Sequence, residues 1–427
     1  MKPIVLSTLG LAAAFVCCLQ CRAQGEDTTT PPLQNKRSSF EDMHLGLFAH
    51  YMFVGKPYKW GSTEWANGKL VQSLDELADN LNVQDFADTA ETMGAQYVMF
   101  TAWHANMNAL FPSKTMRRQL PGHCSRRDAI ADLIHALKAK HIRTVLYIHP
   151  SDGHDLTIED QDRVGWNDGA PWKRWNDFIN ELVAEVVARY GKNLSGFYID
   201  GGLPPQVDPP RLRRTVLAGM PHAWMIQNSG LNRDLVDFGA TENRMVPPYP
   251  PTTWLRCQVI TEEWWAMQAT CQWSPELAYR YTVLQAAVTG RMGGGVAWSF
   301  GPQPGGTWEV GVRGFCQGLG ELVRRAGPSL FGTRPSKAWV TTDQPLEGRQ
   351  FVATESADGK RSYIHLFIPP KGREIVVSAP ANGKRFTSAY VLGSGHKIAL
   401  SETDKGLHLT LGEKDKWDAV DTIIELE

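Results

Sequence analysis

Six polar side chains close short apolar runs in this sequence. They are His50 after Gly46-Leu47-Phe48-Ala49, His104 after Phe100-Thr101-Ala102-Trp103, His149 after Leu146-Tyr147-Ile148, Asp200 after Phe197-Tyr198-Ile199, Asn228 after Met225-Ile226-Gln227 and Glu242 after Asp237-Phe238-Gly239-Ala240-Thr241. An acid that ends an apolar strand is costly unless it is paired or used, so Asp200 and Glu242 are read first. Two carboxylates facing each other are the minimal equipment for breaking a glycosidic bond. One attacks or stabilises the anomeric carbon, and the other delivers and recovers a proton. Gly201-Gly202 lets the chain turn sharply after Asp200 and leaves its carboxylate open to a ligand. Glu242 has a second explanation, an ion pair with nearby Arg244. The histidines form no HxH and no chelating pair. His149, His154 and Asp155 share one loop that reads as solvated, so no metal is expected, and the strand-end histidines are read as hydrogen-bonding a hydroxylated ligand or as satisfied core. With no Gly-x-Ser-x-Gly, no P-loop and no GxGxxG after the first strand, neither a serine hydrolase nor a nucleotide cofactor is indicated.

Elements able to hold these groups in one place follow from the periodicity. Strands are predicted over His44–His50, Gln96–Thr101, Arg143–His149, Gly196–Asp200, Ala223–Gln227 and Gly295–Phe300, with two weaker ones near Leu235–Ala240 and Arg256–Ile260. Helical spacing marks Val83–Met93, Arg127–His141, Trp172–Tyr190, Pro275–Arg291 and Val310–Arg325. Eight strands alternating with helices predict an α/β fold, a (β/α)8 TIM-like barrel, whose chemistry gathers at the C-terminal strand ends. After Gly332-Thr333-Arg334-Pro335 the period falls to two, and six short strands between turns predict a C-terminal antiparallel β-sandwich. The expected domains are a barrel over 25–335 and a sandwich over 336–427.

The 427 residues carry 44 basic and 45 acidic side chains, so no nucleic-acid footprint is expected. Residues 1–24 read as a signal peptide: Met1 and Lys2, an apolar run from Ile4 to Leu19, then Cys21-Arg22-Ala23-Gln24. Export to the periplasm or exterior is the expectation. Lipidation at Cys17, Cys18 or Cys21 is the alternative, though none has the Leu-small-small context that such processing prefers. No later apolar run reaches the roughly 18 residues that span a bilayer. Of 7 cysteines, Cys124, Cys257, Cys271 and Cys316 lie beyond the signal and read as buried thiols or one incidental disulfide. The composition's odd feature is its 15 Trp. Trp60, Trp65, Trp103, Trp264, Trp265 and Trp298 fall at strand ends or in βα loops, where a wall for the apolar face of a sugar is expected.

These motifs, in this order, resemble the retaining α-L-fucosidases. His44 to His50 is similar to that family's Gly-hydrophobic-Phe-x-His segment, Thr63-Glu64-Trp65 to its Glu-Trp-Tyr loop, and Gly94-Ala95-Gln96-Tyr97 through Thr101-Ala102-Trp103-His104 to its Gly-Ala-Lys-Tyr and Thr-Ala-Lys-His-His. Arg127-Asp128, Phe197-Tyr198-Ile199-Asp200-Gly201, Asp237 to Glu242, the glycine-rich run from Gly293 to Gly306 and Phe331-Gly332-Thr333-Arg334-Pro335 continue the likeness. The resemblance implies a barrel followed by a sandwich, no cofactor, and a glycan substrate. It implies Asp200 as nucleophile and Glu242 as acid/base, with Glu262 or Glu263 as the alternative acid/base. His50, Glu64, Trp65, Trp103, His104, Tyr198 and Trp298 would surround the sugar. The sequence departs at Ala105, which stands for the family's second His, at Asn106, at Tyr198, which stands for a Trp, and near Ser229, where an Arg is not evident. These departures keep two alternatives open: a non-catalytic carbohydrate-binding protein on a degenerate barrel, and a glycosidase for a different sugar.

Overall fold

The computed structural model describes residues 39–54, 70–242, 254–259, 271–290, 294–304, 308–343, 346 and 348–427. Glu64, Trp65, Glu262 and Glu263 lie outside the described residues, as do the signal segment, Trp60, Arg244, Trp264 and Trp265.

Eight parallel strands close into a barrel: β1 (Leu45–Ala49), β2 (Tyr97–Thr101), β3 (Arg143–Ile148), β4 (Gly196–Ile199), β5 (Trp224–Asn228), β6 (Phe238–Glu242), β7 (Trp254–Val259) and β8 (Val296–Ser299). Each pairs with the next in the chain, and β8 closes against β1 with Leu45 opposite Val296 and Phe48 opposite Ser299. The strands are buried on both faces, which is why they read as near-continuous apolar runs. One set of side chains, including Phe48, Met99, Tyr147, Tyr198, Ile226, Ala240, Cys257 and Ala297, fills the barrel. The alternate set, including Leu47, Phe100, Leu146, Ile199, Met225 and Trp298, packs outward against the helices. The predicted weak strand near Leu235 begins three residues later, because Leu235 and Val236 lie in a turn closed by Asn232.

Helices occupy the connections: α1 (Leu74–Asn80), α2 (Val83–Met93), α3 (Lys114–Gln119), α4 (Ala129–Ala139), α5 (Ile158–Val164), α6 (Lys173–Tyr190), α7 (Pro209–Gly219), α8 (Pro275–Ala287) and α9 (Val312–Ala326). The Arg127-Asp128 motif is local capping: Asp128 accepts from the Ala131 amide at the start of α4 and from the Tyr190 hydroxyl.

The C-terminal part is one antiparallel eight-stranded sheet folded over its own core: β9 (Thr333–Pro335), β10 (Phe351–Ser356), β11 (Ser362–Leu366), β12 (Glu374–Val377), β13 (Ala389–Val391), β14 (Lys397–Thr403), β15 (Gly406–Thr410) and β16 (Thr422–Leu426). β14 pairs with β13 at one end and β15 along the rest, so it carries the chain from one half to the other. A buried polar knot ties this sheet to α8: Asp421 accepts from Tyr279 at 2.7 Å and lies 2.6 Å from His365, while Arg280 donates to the Val420 and Ala419 carbonyls. The four described cysteines are free thiols.

Candidate active site

The barrel's own alternation builds the mouth. Two residues beyond Phe48, Tyr147, Tyr198, Ile226 and Ala240 on the inward face stand His50, His149, Asp200, Asn228 and Glu242. Thr101 follows Met99 in the same way, and its hydroxyl lies 2.8 Å from His50 Nδ1. The last apolar layer thus forms a floor, and the next layer is polar.

Asp200 is held from three sides. The Tyr147 hydroxyl donates to Oδ2 at 2.8 Å, and the Gly201 amide and Asn228 Nδ2 donate to Oδ1 at 2.6 Å and 2.8 Å. Gly201 has φ +93°, and a Cβ there would stand 2.2 Å from Ser151 Oγ and 2.5 Å from His149 Cε1, so glycine is required on both counts. The same Asn228 nitrogen donates to Glu242 Oε1 at 2.6 Å. Two oxygens that share one nitrogen at those lengths are separated by at most about 5.4 Å, no wider than the roughly 5 to 5.5 Å of retaining pairs. Burial, and then the charge of Asp200, raise the Glu242 pKa to about 7, although the Asn228 bond pulls it down. Burial and Asp200 also hold the Tyr147 phenol protonated far above its ordinary range, so it remains a donor.

An imidazole row borders the carboxylates. Ring centroids of His50 and His104 are 5.9 Å apart, and His104 stacks on His149 at 4.7 Å with 12° between planes. Asp152, fully buried in the turn after β3, places Oδ2 2.9 Å from His104 Nδ1 and Oδ1 2.9 Å from His149 Nδ1. Burial alone would raise Asp152, but the two imidazoles outweigh it and hold the carboxyl well below its usual range. Burial opposes charge on His149 too, yet Asp152, with Asp200 and Asp155 nearby, raises its pKa to about 9. His50, desolvated and beside two other imidazoles, is pushed down and stays neutral.

Several expectations need correcting. Trp298 does not reach the mouth. It sits between inward Ala297 and Ser299, so it faces outward, fully buried against Trp273, Tyr281 and Phe315, with Nε1 donating to Thr282 of α8. Trp103 is also fully buried in the outer core, where its Nε1 donates to the His149 carbonyl at 3.2 Å. Tyr198 belongs to the floor: fully buried, it stacks beside Tyr147 and its hydroxyl meets Cys257 Sγ. Among the described residues the aromatic surroundings of Asp200 are therefore Tyr147 and imidazoles rather than indoles. Residues that show no metal spacing in the sequence do come together in space: ligand atoms of His104, His149 and Asp152 lie within 4.8 Å of one another, as do those of Asp152, His154 and Asp155. The donors of the first set come from different βα segments, which no local motif reports. Ala105, where the family motif has its second His, packs against Met52 and Val54. Sequence reasoning reached His50, His104, His149, Asp200, Asn228 and Glu242, left Tyr147 inside an apolar run, and did not single out Asp152.

The structure thus joins a (β/α)8 barrel, with a carboxylate pair at its strand ends, to a C-terminal antiparallel sheet. A family model described as alpha-L-fucosidase matches residues 16–328, and the chain belongs to that family. A Caenorhabditis elegans protein assigned to the alpha-L-fucosidases is 22% identical over 335 residues, 74% of this chain. The chain spans 64% of that relative's length. The fold is shared with an alpha-L-fucosidase of Bacteroides thetaiotaomicron at TM-score 0.69 and 19% identity, covering 93% of this chain and 95% of that one. Another alpha-L-fucosidase structure from Bacteroides thetaiotaomicron, a mutant trapped as a covalent intermediate with 2-fluoro-fucosyl fluoride, gives TM-score 0.67, 18% identity, and coverage of 93% and 96%.

Proposed function

We propose that the protein is an exported retaining exo-glycosidase of α-L-fucosidase type that releases a terminal fucose, or a closely related sugar, from glycans. The observation that carries this reading is the single Asn228 amide bridging Asp200 and Glu242, which keeps an oxygen of each no farther apart than a double displacement needs. Asp200 attacks the anomeric carbon through an oxygen oriented by Tyr147. Glu242, protonated up to about neutral pH, gives its proton to the departing oxygen. Water then releases the glycosyl-enzyme with Glu242 as base. The covalent intermediate trapped in the Bacteroides thetaiotaomicron relative supports the same route. The basic start and apolar run of residues 1–24 support export, and no described helix is long and apolar enough to cross a membrane.

Hydrolysis of an aryl α-L-fucoside, followed by proton NMR, tests the activity. Wild type is expected to release the α-anomer first, and Asp200→Ala to lose turnover by at least about 1,000-fold. Equal sugar binding by both forms with no release by either would make the protein a lectin instead of an enzyme.

A further inference from the structure

The Asp200–Glu242 pair performs the chemistry described above without using Asp152 or His149, yet both are placed with care. Asp152 has no exposure at all, and its two oxygens take one imidazole each, His104 from the segment after β2 and His149 from the end of β3. A buried carboxylate is costly, and this pairing offsets the cost. With Nδ1 of each ring turned to Asp152, the Nε2 edge of each points the other way. On His149 the Nδ1–Cε1 edge is covered by Gly201, next to the nucleophile. His149 is only 7% exposed and lies close enough to Asp200 to feel its charge.

We infer that Asp152 is a positioning residue that turns His104 and His149 into a two-pronged subsite for neighbouring oxygens of the bound ring, with His149 as a specificity determinant. The inference rests on the glycosidase reading above. His149 stacks on His104 from the next strand while Ala105, the next residue after His104, offers no imidazole. With Nδ1 of each ring held at 2.9 Å from Asp152, the outer nitrogen is the one left to meet a sugar hydroxyl, and a ring nitrogen fixed in place discriminates between a hydroxyl and a hydrogen at the same ring position. Both rings are stacked and clamped, so the donor direction is fixed before the ligand arrives.

The test compares an aryl α-L-fucoside with its monodeoxy analogues on wild type, His149→Ala and Asp152→Asn. Wild type is expected to disfavour one or two deoxy analogues by about 10- to 100-fold in kcat/KM, and both variants to lose that penalty at those positions alone. The effect should appear mainly in KM. The same ratios measured as Kd for L-fucose and its deoxy forms by calorimetry read the subsite even if no glycoside is turned over, which separates a failure of this inference from a failure of the enzymatic reading. Equal losses of affinity for every analogue would overturn it and make the cluster purely structural. Loss of activity on chelation with recovery on adding zinc would also overturn it, because the cluster would then be a metal site.

Discussion

Glu242 stands in a place that penalises its charge, and the penalty can be measured without any substrate. Its pKa moves from an ordinary 4.5 to about 7 in the folded chain, through burial first and Asp200 second. In the unfolded chain the proton leaves near 4.5, so between pH 4.5 and 7 the folded state binds more protons and stability falls as pH rises. Below pH 4.5 there is no penalty, and above 7 it is complete. At about 1.4 kcal/mol per tenfold change in proton affinity the full penalty is about 3 kcal/mol, less whatever partial exposure screens. Glu242→Gln keeps the shape and an oxygen for Asn228 but carries no charge. Its melting temperature should match wild type near pH 4 and rise above it by about 5 °C at pH 8, taking roughly 0.6 kcal/mol per degree for a barrel of this size. Differential scanning fluorimetry from pH 4 to 8 reads this directly, alongside hydrolysis of aryl fucosides with good and poor leaving groups, where the variant should fail most on the poor ones. Two melting curves that run parallel across the range would refute the electrostatic reasoning. Full activity on poor leaving groups would move the acid/base to Glu262 or Glu263.

Two further outcomes follow from contacts around that pair. Tyr147→Phe removes the phenolic donor from Asp200 Oδ2 while keeping the ring packed against His50 and His104, and should lower kcat by about 10- to 100-fold with an unaltered fold by circular dichroism; a change under about threefold would remove Tyr147 from the machinery. Trp298→Phe should leave KM for an aryl fucoside unchanged and lower stability by about 1 to 3 kcal/mol, because it empties part of the outer core and drops the bond to Thr282; a large KM effect with no loss of stability would return Trp298 to the sugar wall.

The barrel was legible because a buried parallel sheet writes itself as repeated apolar runs, and its mouth because the residue closing each run is polar. That rule yielded His50, His149, Asp200, Asn228 and Glu242 without any contact information. Strand parity, applied one residue more strictly, would have sent Trp298 outward, since Ala297 and Ser299 hold the inward positions. Tyr147 escaped because an inward tyrosine one layer down reads as core until its hydroxyl is seen to reach Asp200. Asp152 escaped for a different reason: its meaning lies in two histidines brought by separate segments, and it sits in a short turn with no periodicity. The strand Lys397–Thr403 was missed because most of its side chains are exposed, which weakens the alternation that marks a strand.

The one amide of Asn228 gives the two halves of the proposed reaction a common pivot. While Asp200 is a free carboxylate and Glu242 holds its proton, the negative charge facing that NH2 group lies on the nucleophile's side. Once Asp200 is esterified and Glu242 has given its proton away, the charge lies on the other side, and the same two hydrogens are already there to meet it. The amide need not swing or find new partners as the charge changes hands, so the first step leaves the pocket arranged for the second.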